Sequence, residues 1–423
     1  MQSLRRHTPA AAGRAAGVRV PDPPDGGRVS GALQLTGEPG GAVADAGAGG
    51  TRHARVALIS NFCPHYRTPL YEELARRMEM DFYFFSDGGE RYWNQSLPVE
   101  QAGAFSRVAL RRVHVLGQPL LPGLVARLTT ARYDAVIVGM TGRLMVPYAY
   151  ALASARRLPF VLWTGTWHHP ETGFHRATRR VVERVYRGSD SILVYGDHVR
   201  RALTAVRGVD DAKIYTAGQP VDASRFVEQA TPGRSRELLF VGRLSEDKGI
   251  ADLLAAFARV EAPDAVLSVV GSGPLEPLVR RAAERDARIR VVGQVPQDEL
   301  PARLAQARCL VLPSITTATE RECWGLVVNE AMHAGLPVVA SDAVGAAAGG
   351  LVQDGATGRV VPERRPDALA AALRDVLSDD AGADRLGSAA RERAAALTFG
   401  ASAAAFEAAV AHARSTRERP WRD

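Results

Sequence analysis

Leu238-Leu239-Phe240-Val241 runs directly into Gly242-Arg243-Leu244-Ser245-Glu246-Asp247-Lys248-Gly249, and that turn opens the apolar-periodic stretch Ile250 to Val260. Strand, tight turn and helix in that order commit this part of the chain to a parallel sheet, because parallel neighbours need a helical crossover. The turn then lies at the carboxyl edge of the sheet, where open α/β folds bind ligands. The alternation continues downstream. Val266 to Val270 leads into Gly271-Ser272-Gly273-Pro274, Ile289 to Val292 into Gly293, and Cys309 to Leu312 into Pro313-Ser314. Pro337 to Ser341 reads as a further buried strand.

An earlier set of apolar runs does the same. Arg55 to Ser60, Asp81 to Phe85, Ala135 to Gly139, Phe160 to Thr164, Ser191 to Tyr195 and Lys213 to Thr216 read as strands. Helical stretches over 68–78, 144–157 and around 177–187 separate some of them. With 423 residues, of which 46% are hydrophobic, the chain is long enough for two cores. The fold class is therefore α/β, with two doubly wound, Rossmann-like domains.

The domains are expected at 53–222 and 235–397, with the boundary at the polar run near Thr231 to Arg236. Residues 398–423 form a C-terminal segment with a helix near 401–413. Residues 1–52 are rich in Gly, Ala and Pro without periodicity. That is the composition of a disordered extension, or of sequence upstream of the true start.

Between the fourth and fifth strands of the second half lies Glu322-Cys323-Trp324-Gly325-Leu326-Val327-Val328-Asn329-Glu330. Two acids bracket seven residues, and a helix opens at Gly325. A helix N-terminus offers free N–H groups to anions and hydroxyl oxygens, and paired carboxylates suit the hydroxyls of sugars and ribose. A surface loop and a buried helix that happen to carry two Glu would give the same spacing.

Taken with Arg243 and Lys248, this segment resembles the E-x7-E signature of the family-4 class of retaining glycosyltransferases. The resemblance covers residues about 235 to 365 closely and the rest more loosely. It implies the glycosyltransferase-B architecture, two domains facing a cleft, with the last helix crossing back to brace the first domain. It implies a nucleotide-diphosphate sugar as co-substrate: Glu330 on the ribose hydroxyls, Glu322 beside the donor sugar, and Arg243 and Lys248 on the diphosphate. Catalytic roles would fall to Glu322, Arg243 and Lys248. Gly325, Leu326 and Val327 would supply backbone N–H groups and Val292 the start of the base pocket, while Gly271 and Gly273 read first as turn glycines and only second as a close approach to the nucleotide.

The first half matches the family less well. Asn61-Phe62-Cys63-Pro64-His65-Tyr66-Arg67 stands where many relatives have a Gly-Gly turn, and His168 and His169 lie several residues later than the histidine that relatives carry. Arg67, His168 and His169 are candidates for the acceptor or phosphate side. Equally, Tyr66 packs and Arg67 is solvated. Arg176, Arg179, Arg180, Arg184 and Arg187 fall on one helix face, with Val181, Val182 and Val185 opposite and assigned to the core.

Charge and cysteine content narrow the setting. Residues 53–222 hold 22 basic against 15 acidic residues, so the whole +7 excess of the chain equals that of this half. A solvated face explains it, as do an anionic membrane surface or a phosphate-bearing acceptor. No nucleic-acid-binding motif is present. Cys63, Cys309 and Cys323 have the spacing of neither a zinc site nor a disulfide framework, which points to a reducing cytoplasm. Cys323 reads as a small apolar filler.

No Asp-x-Asp pair occurs, so no metal is expected, and the resemblance implies no cofactor beyond the nucleotide-diphosphate sugar as co-substrate. The function expected is retaining, metal-independent transfer of a sugar to a polysaccharide, lipid-linked or small-molecule acceptor. A nucleotide-sugar epimerase or hydrolase of the same architecture, or a non-catalytic nucleotide-sugar-binding subunit, would use the same site.

Overall fold

The computed structural model describes residues 53–86, 104–115, 117–139, 144–168, 170, 172–226 and 235–418. The expectations for residues 1–52, the 227–234 stretch and His169 lie outside them.

The first domain is built from β1 (Arg55–Ser60), α1 (Thr68–Arg77), β2 (Glu79–Phe84), a hairpin of β3 (Val113–Val115) and β4 (Gln118–Leu120), and α2 (Leu124–Thr130). It continues with β5 (Ala135–Gly139), α3 (Met145–Ala155), β6 (Phe160–Thr164), α4 (Gly173–Gly188), β7 (Ser191–Val194), α5 (Asp197–Arg207) and β8 (Ile214–Thr216). Six strands pair in the order β2-β1-β5-β6-β7-β8, all parallel. The central strands are apolar at nearly every position because helices cover both faces: all five residues of β5 and of β6 are buried.

The second domain runs β9 (Glu237–Val241), α6 (Ile250–Phe257), β10 (Val266–Val270), α7 (Glu276–Arg285), β11 (Ile289–Gly293), α8 (Leu300–Gln306) and β12 (Cys309–Leu312). After these come α9 (Leu326–His333), β13 (Val338–Ser341), α10 (Gly345–Ala348), β14 (Gly358–Val361), α11 (Pro366–Ser378) and α12 (Asp380–Ala394). Its parallel strands are ordered β11-β10-β9-β12-β13-β14. The order reverses between β9 and β12, so their carboxyl ends diverge and leave a crevice.

The last helix, α13 (Phe399–Glu418), lies on the first domain. Ala403, Phe406, Ala409, Val410 and Ala413 recur at helical spacing and are buried in the same core as Val56, Leu70, Leu74 and Trp163. Phe406 packs edge-on to Trp163 with ring centroids 5.0 Å apart. At the rim, Arg77 pairs with Glu407 at 2.9 Å, and inside the core Ser191 Oγ donates to the Ala409 carbonyl at 2.8 Å. Among the described residues no single helix is long and apolar enough to cross a membrane, although α12 and α13 together meet that test by composition.

Helix α4 corrects one expectation. Val185 is buried and Val182 partly so, but Val181 is 49% exposed, as is Phe174 one turn-pair earlier at 40%. The helix rests on the Val185–Tyr186 side. At 100° per residue Val181 lies roughly a quarter-turn from the middle of that contact. The arginines at 176, 179, 180, 184 and 187 are all exposed, as expected.

Candidate active site

The turns that follow β9, β10 and β11 are knitted side by side. Gly242 N–H donates to the Val270 carbonyl at 3.0 Å, Leu244 N–H to Ser272 at 2.8 Å, and Gly271 N–H to Gly293 at 2.7 Å. Gly271 has φ +133°, and a Cβ there would overlap the Gly242 carbonyl oxygen. Only glycine lets these two turns approach so closely.

Within the first turn, Arg243 Nε donates to Ser245 Oγ at 3.1 Å, and Ser245 Oγ donates to Asp247 Oδ1 at 2.5 Å. Asp247 also lies 3.6 Å from the Arg243 guanidinium and 3.8 Å from Lys248 Nζ. Its carboxylate organises both cations, a role not read in the sequence.

Lys248 turns inward and donates to the Glu322 carboxylate, whose Oε2 also accepts from Ser314 Oγ at 3.3 Å. Burial pulls the Lys248 ammonium down, but the neighbouring Glu322 carboxylate outweighs it and leaves the group above the ordinary lysine value. Helix α9 begins at Gly325, whose φ of +88° is left-handed. A side chain there would be strained, and its Cβ would meet Leu312 Cδ2 at 2.9 Å. Glycine therefore sets the direction in which the first N–H groups of the helix face.

One turn later Glu330 is partly enclosed. Burial pushes its carboxyl up to about 7, with Arg225 pulling the other way. Asn329, fully buried, accepts from Trp324 Nε1 at 2.7 Å and donates to the Gln219 carbonyl at 2.7 Å. It thus fastens the segment to the end of the first domain, another role the sequence did not reveal.

These groups share one cleft of about 590 Å³. Arg243, Lys248, Gly271, Glu322, Gly325, Leu326, Val327 and Glu330 all line it, beside Gly242 and Leu312 at the diverging ends of β9 and β12. Two cations, two carboxylates and a helix N-terminus on one apolar-walled crevice can hold an anion at one end and hydroxyls at the other.

Other expected residues are placed differently. Val292 does not line the cleft, whereas Gln294 and Val295 do. The β10–β11 register shifts at Val270, which pairs with Gly293, so the strand runs one residue further before its turn. From the first domain, His65 and Tyr66 reach the cleft, and Arg67 does not. The Arg67 guanidinium instead lies 4.4 Å over the Trp163 ring and donates to Tyr195 Oη at 2.7 Å. His168 is partly buried and outside the lining. Cys323 is exposed rather than an apolar filler.

Residues 222–393 match the family of glycosyl transferases group 1. Over 261 residues the chain is 34% identical to the glycogen synthase of Mycobacterium tuberculosis, a match covering 58% of this chain and 61% of that protein. It is 33% identical over 195 residues to the phosphatidyl-myo-inositol mannosyltransferase of Mycolicibacterium smegmatis, covering 44% of this chain and 48% of that one. The chain thus spans about half to three-fifths of these curated relatives.

Among solved structures, Anabaena Alr3699/HepE in complex with UDP-glucose superposes with a TM-score of 0.64 at 18% identity, covering 84% of this chain and all of that one. Sucrose-phosphate synthase from Thermosynechococcus elongatus gives 0.64 at 22%, covering 84% and 98%. At such identities the likeness is one of fold. The architecture is the glycosyltransferase-B fold, and the group 1 glycosyl transferase match takes in the whole turn from Gly242 to Gly249 and the segment from Glu322 to Glu330.

Proposed function

We propose that this protein transfers a sugar from a nucleotide-diphosphate sugar to a hydroxyl-bearing acceptor, with retention of the anomeric configuration and without a metal. The observation that carries the reading is the convergence of Arg243, Lys248, Glu322, Glu330 and the α9 N-terminus on one cleft. The relatives' names, glycogen synthase and mannosyltransferase, and the UDP-glucose bound in the Anabaena structure support it.

In this reading the diphosphate lies against Arg243, Lys248 and the first N–H groups of α9. Glycosidic bond cleavage passes through an oxocarbenium-like state, so the sugar becomes positive as the diphosphate leaves negative. Fixed cations and helix N–H groups stabilise that leaving charge without reorganising. Glu330 accepts hydrogen bonds from the ribose hydroxyls, and Glu322 meets the sugar next to the reacting carbon. The acceptor hydroxyl gives its proton to the departing phosphate on the same face, so no separate base is required. Two cations neutralise the diphosphate, which is the part a divalent ion plays elsewhere. The acceptor approaches past His65 and Tyr66. The exposed arginines of α4, flanked by exposed Phe174 and Val181, would rest on an anionic membrane surface when the acceptor is lipid-linked.

The test is transfer from a panel of nucleotide sugars, with the product's anomeric configuration read by proton NMR. Retention with net transfer is expected. Inversion would overturn the retaining mechanism. A new free nucleotide sugar would mark an epimerase, and donor binding without turnover a binding subunit.

A further inference from the structure

The loop that carries Glu322 is held by its backbone from the other domain. Trp167 Nε1, in the segment after β6, donates to the Glu322 carbonyl at 3.0 Å. His198 Nε2, in the first turn of α5, donates to the Cys323 carbonyl at 2.9 Å. Two consecutive carbonyls of the motif thus accept from two first-domain rings that themselves meet edge-to-face, with centroids 4.9 Å apart. Arg321 closes over the outer face of Trp167 at 3.6 Å, and Trp324 lies 5.8 Å from His198 on the other side. Space for this stack is reserved on both domains. A Cβ on Gly196 would strike the Trp324 ring at 2.8 Å, and one on Gly349 would strike His198 Nδ1 at 2.8 Å.

His198 is only 3% exposed. Burial drags its imidazole down to about 4, with the bond to Cys323 and the nearby Arg201 and Arg321 as smaller influences, so the ring is neutral near pH 7. A neutral ring has one N–H, and a carbonyl partner requires that it sit on Nε2. Nδ1 is then bare, with no hydrogen-bond partner among the described residues. Within its own domain the loop is held by Gly345 N–H on the Glu322 carbonyl at 3.1 Å and Ala346 N–H on the Trp324 carbonyl at 2.8 Å. The Glu322 side chain is held by Lys248 and Ser314. Its carboxylate is therefore oriented from the second domain, while its carbonyl is shared between Gly345 of that domain and Trp167 of the first.

We infer that Trp167 and His198 are positioning residues that clamp the Glu322 loop across the cleft, so that closure of the two domains and correct placement of Glu322 are one event. The inference rests on the assignment of Glu322 to the sugar side in the proposed function. It requires nothing of the two rings toward the ligand itself. Misplacing a reacting group by about 1 Å costs on the order of 100-fold in rate.

Full-length Trp167→Phe, His198→Phe, His198→Gln and the Trp167→Phe/His198→Phe pair provide the test. Phenylalanine keeps a ring in each stack and removes the donor, while glutamine retains an N–H. Folding is checked by circular dichroism. Expected are a kcat lower by about 10- to 100-fold in the two phenylalanine variants and nucleoside diphosphate affinity within about twofold of wild type. His198→Gln should recover part of the lost kcat. Wild-type kcat in the pair, or loss of diphosphate binding along with turnover, overturns the clamp.

Small-angle X-ray scattering supplies an arm that does not depend on transfer. The pair should show a larger radius of gyration than wild type, and an identical profile overturns the inference. If the wild type transfers no sugar from any donor, the proposed function fails, and the scattering alone decides the clamp.

Discussion

The Lys248 ammonium is bonded to the Glu322 carboxylate at the floor of the cleft, with side-chain exposures of 17% and 15%. On the proposed function, the cation that would meet the diphosphate is thus already paired with an acid of the same site. On that reading an incoming diphosphate would compete for Lys248 and free Glu322 toward the sugar. Donor binding and the release of Glu322 would then be coupled by a shared cation.

This coupling makes the Lys248 variant informative. Lys248→Ala removes the leaving-group charge and strands Glu322, so kcat should fall by about 100- to 1,000-fold, about 3 kcal/mol in the barrier. Arg243→Ala should act in the same direction. Steady-state kinetics on folded variants measures this, and full activity in both would remove the diphosphate assignment.

Glu330 predicts a pH dependence. Its carboxyl stands at about 7 because burial disfavours the charge, whereas an ordinary glutamate lies at 4.5. The folded value is raised, so its contribution to stability is fully present below about 4.5 and is lost as pH rises through about 7. Ribose hydroxyls need the ionised form, so nucleoside diphosphate affinity should strengthen from pH 6 to pH 8. Glu330→Gln should flatten that trend and weaken binding overall. Calorimetry at both values decides it, and an unchanged slope in the variant would assign the dependence elsewhere.

The two acids should separate kinetically. Only contacts that strengthen in the transition state accelerate the chemical step. Glu322→Gln should lower kcat without weakening nucleoside diphosphate binding, whereas Glu330→Gln should weaken that binding with a smaller effect on kcat. If Glu322→Gln abolishes diphosphate binding while Glu330→Gln spares it, the two roles are exchanged.

Much of the fold was legible because the central strands are apolar at nearly every position. Ala135–Gly139, Phe160–Thr164, Val266–Val270 and Cys309–Leu312 were read with the bounds the structure gives. The β3–β4 hairpin was missed, since three-residue strands are too short to show alternation. Val181 was misassigned because periodicity marks a stripe, and only the neighbours decide which edge of the stripe stays wet. The groups lining the cleft lie on turns with strong local signals, glycine, arginine and lysine after a strand. Trp167, His198, Asn329 and Asp247 carry no such signal. Trp167 and His198 act on backbone carbonyls 155 and 125 residues away, a relation no local pattern encodes.

The C-terminal helix offers a stability test. Phe406 is fully buried against Trp163, so Phe406→Ala should destabilise the protein by about 3–5 kcal/mol. Urea unfolding measures it. A loss under about 1 kcal/mol would mean that α13 is not integral to the first domain's core.

The central claim is that this cleft binds a nucleotide diphosphate through Arg243 and Lys248 at one end and Glu330 at the other. Isothermal titration of uridine, guanosine and adenosine diphosphates into wild type and Arg243→Ala tests it most directly. Saturable, one-to-one binding of at least one of them in excess chelator is expected, weakened at least about tenfold in the variant. Binding of none, or equal binding by the variant, would contradict it.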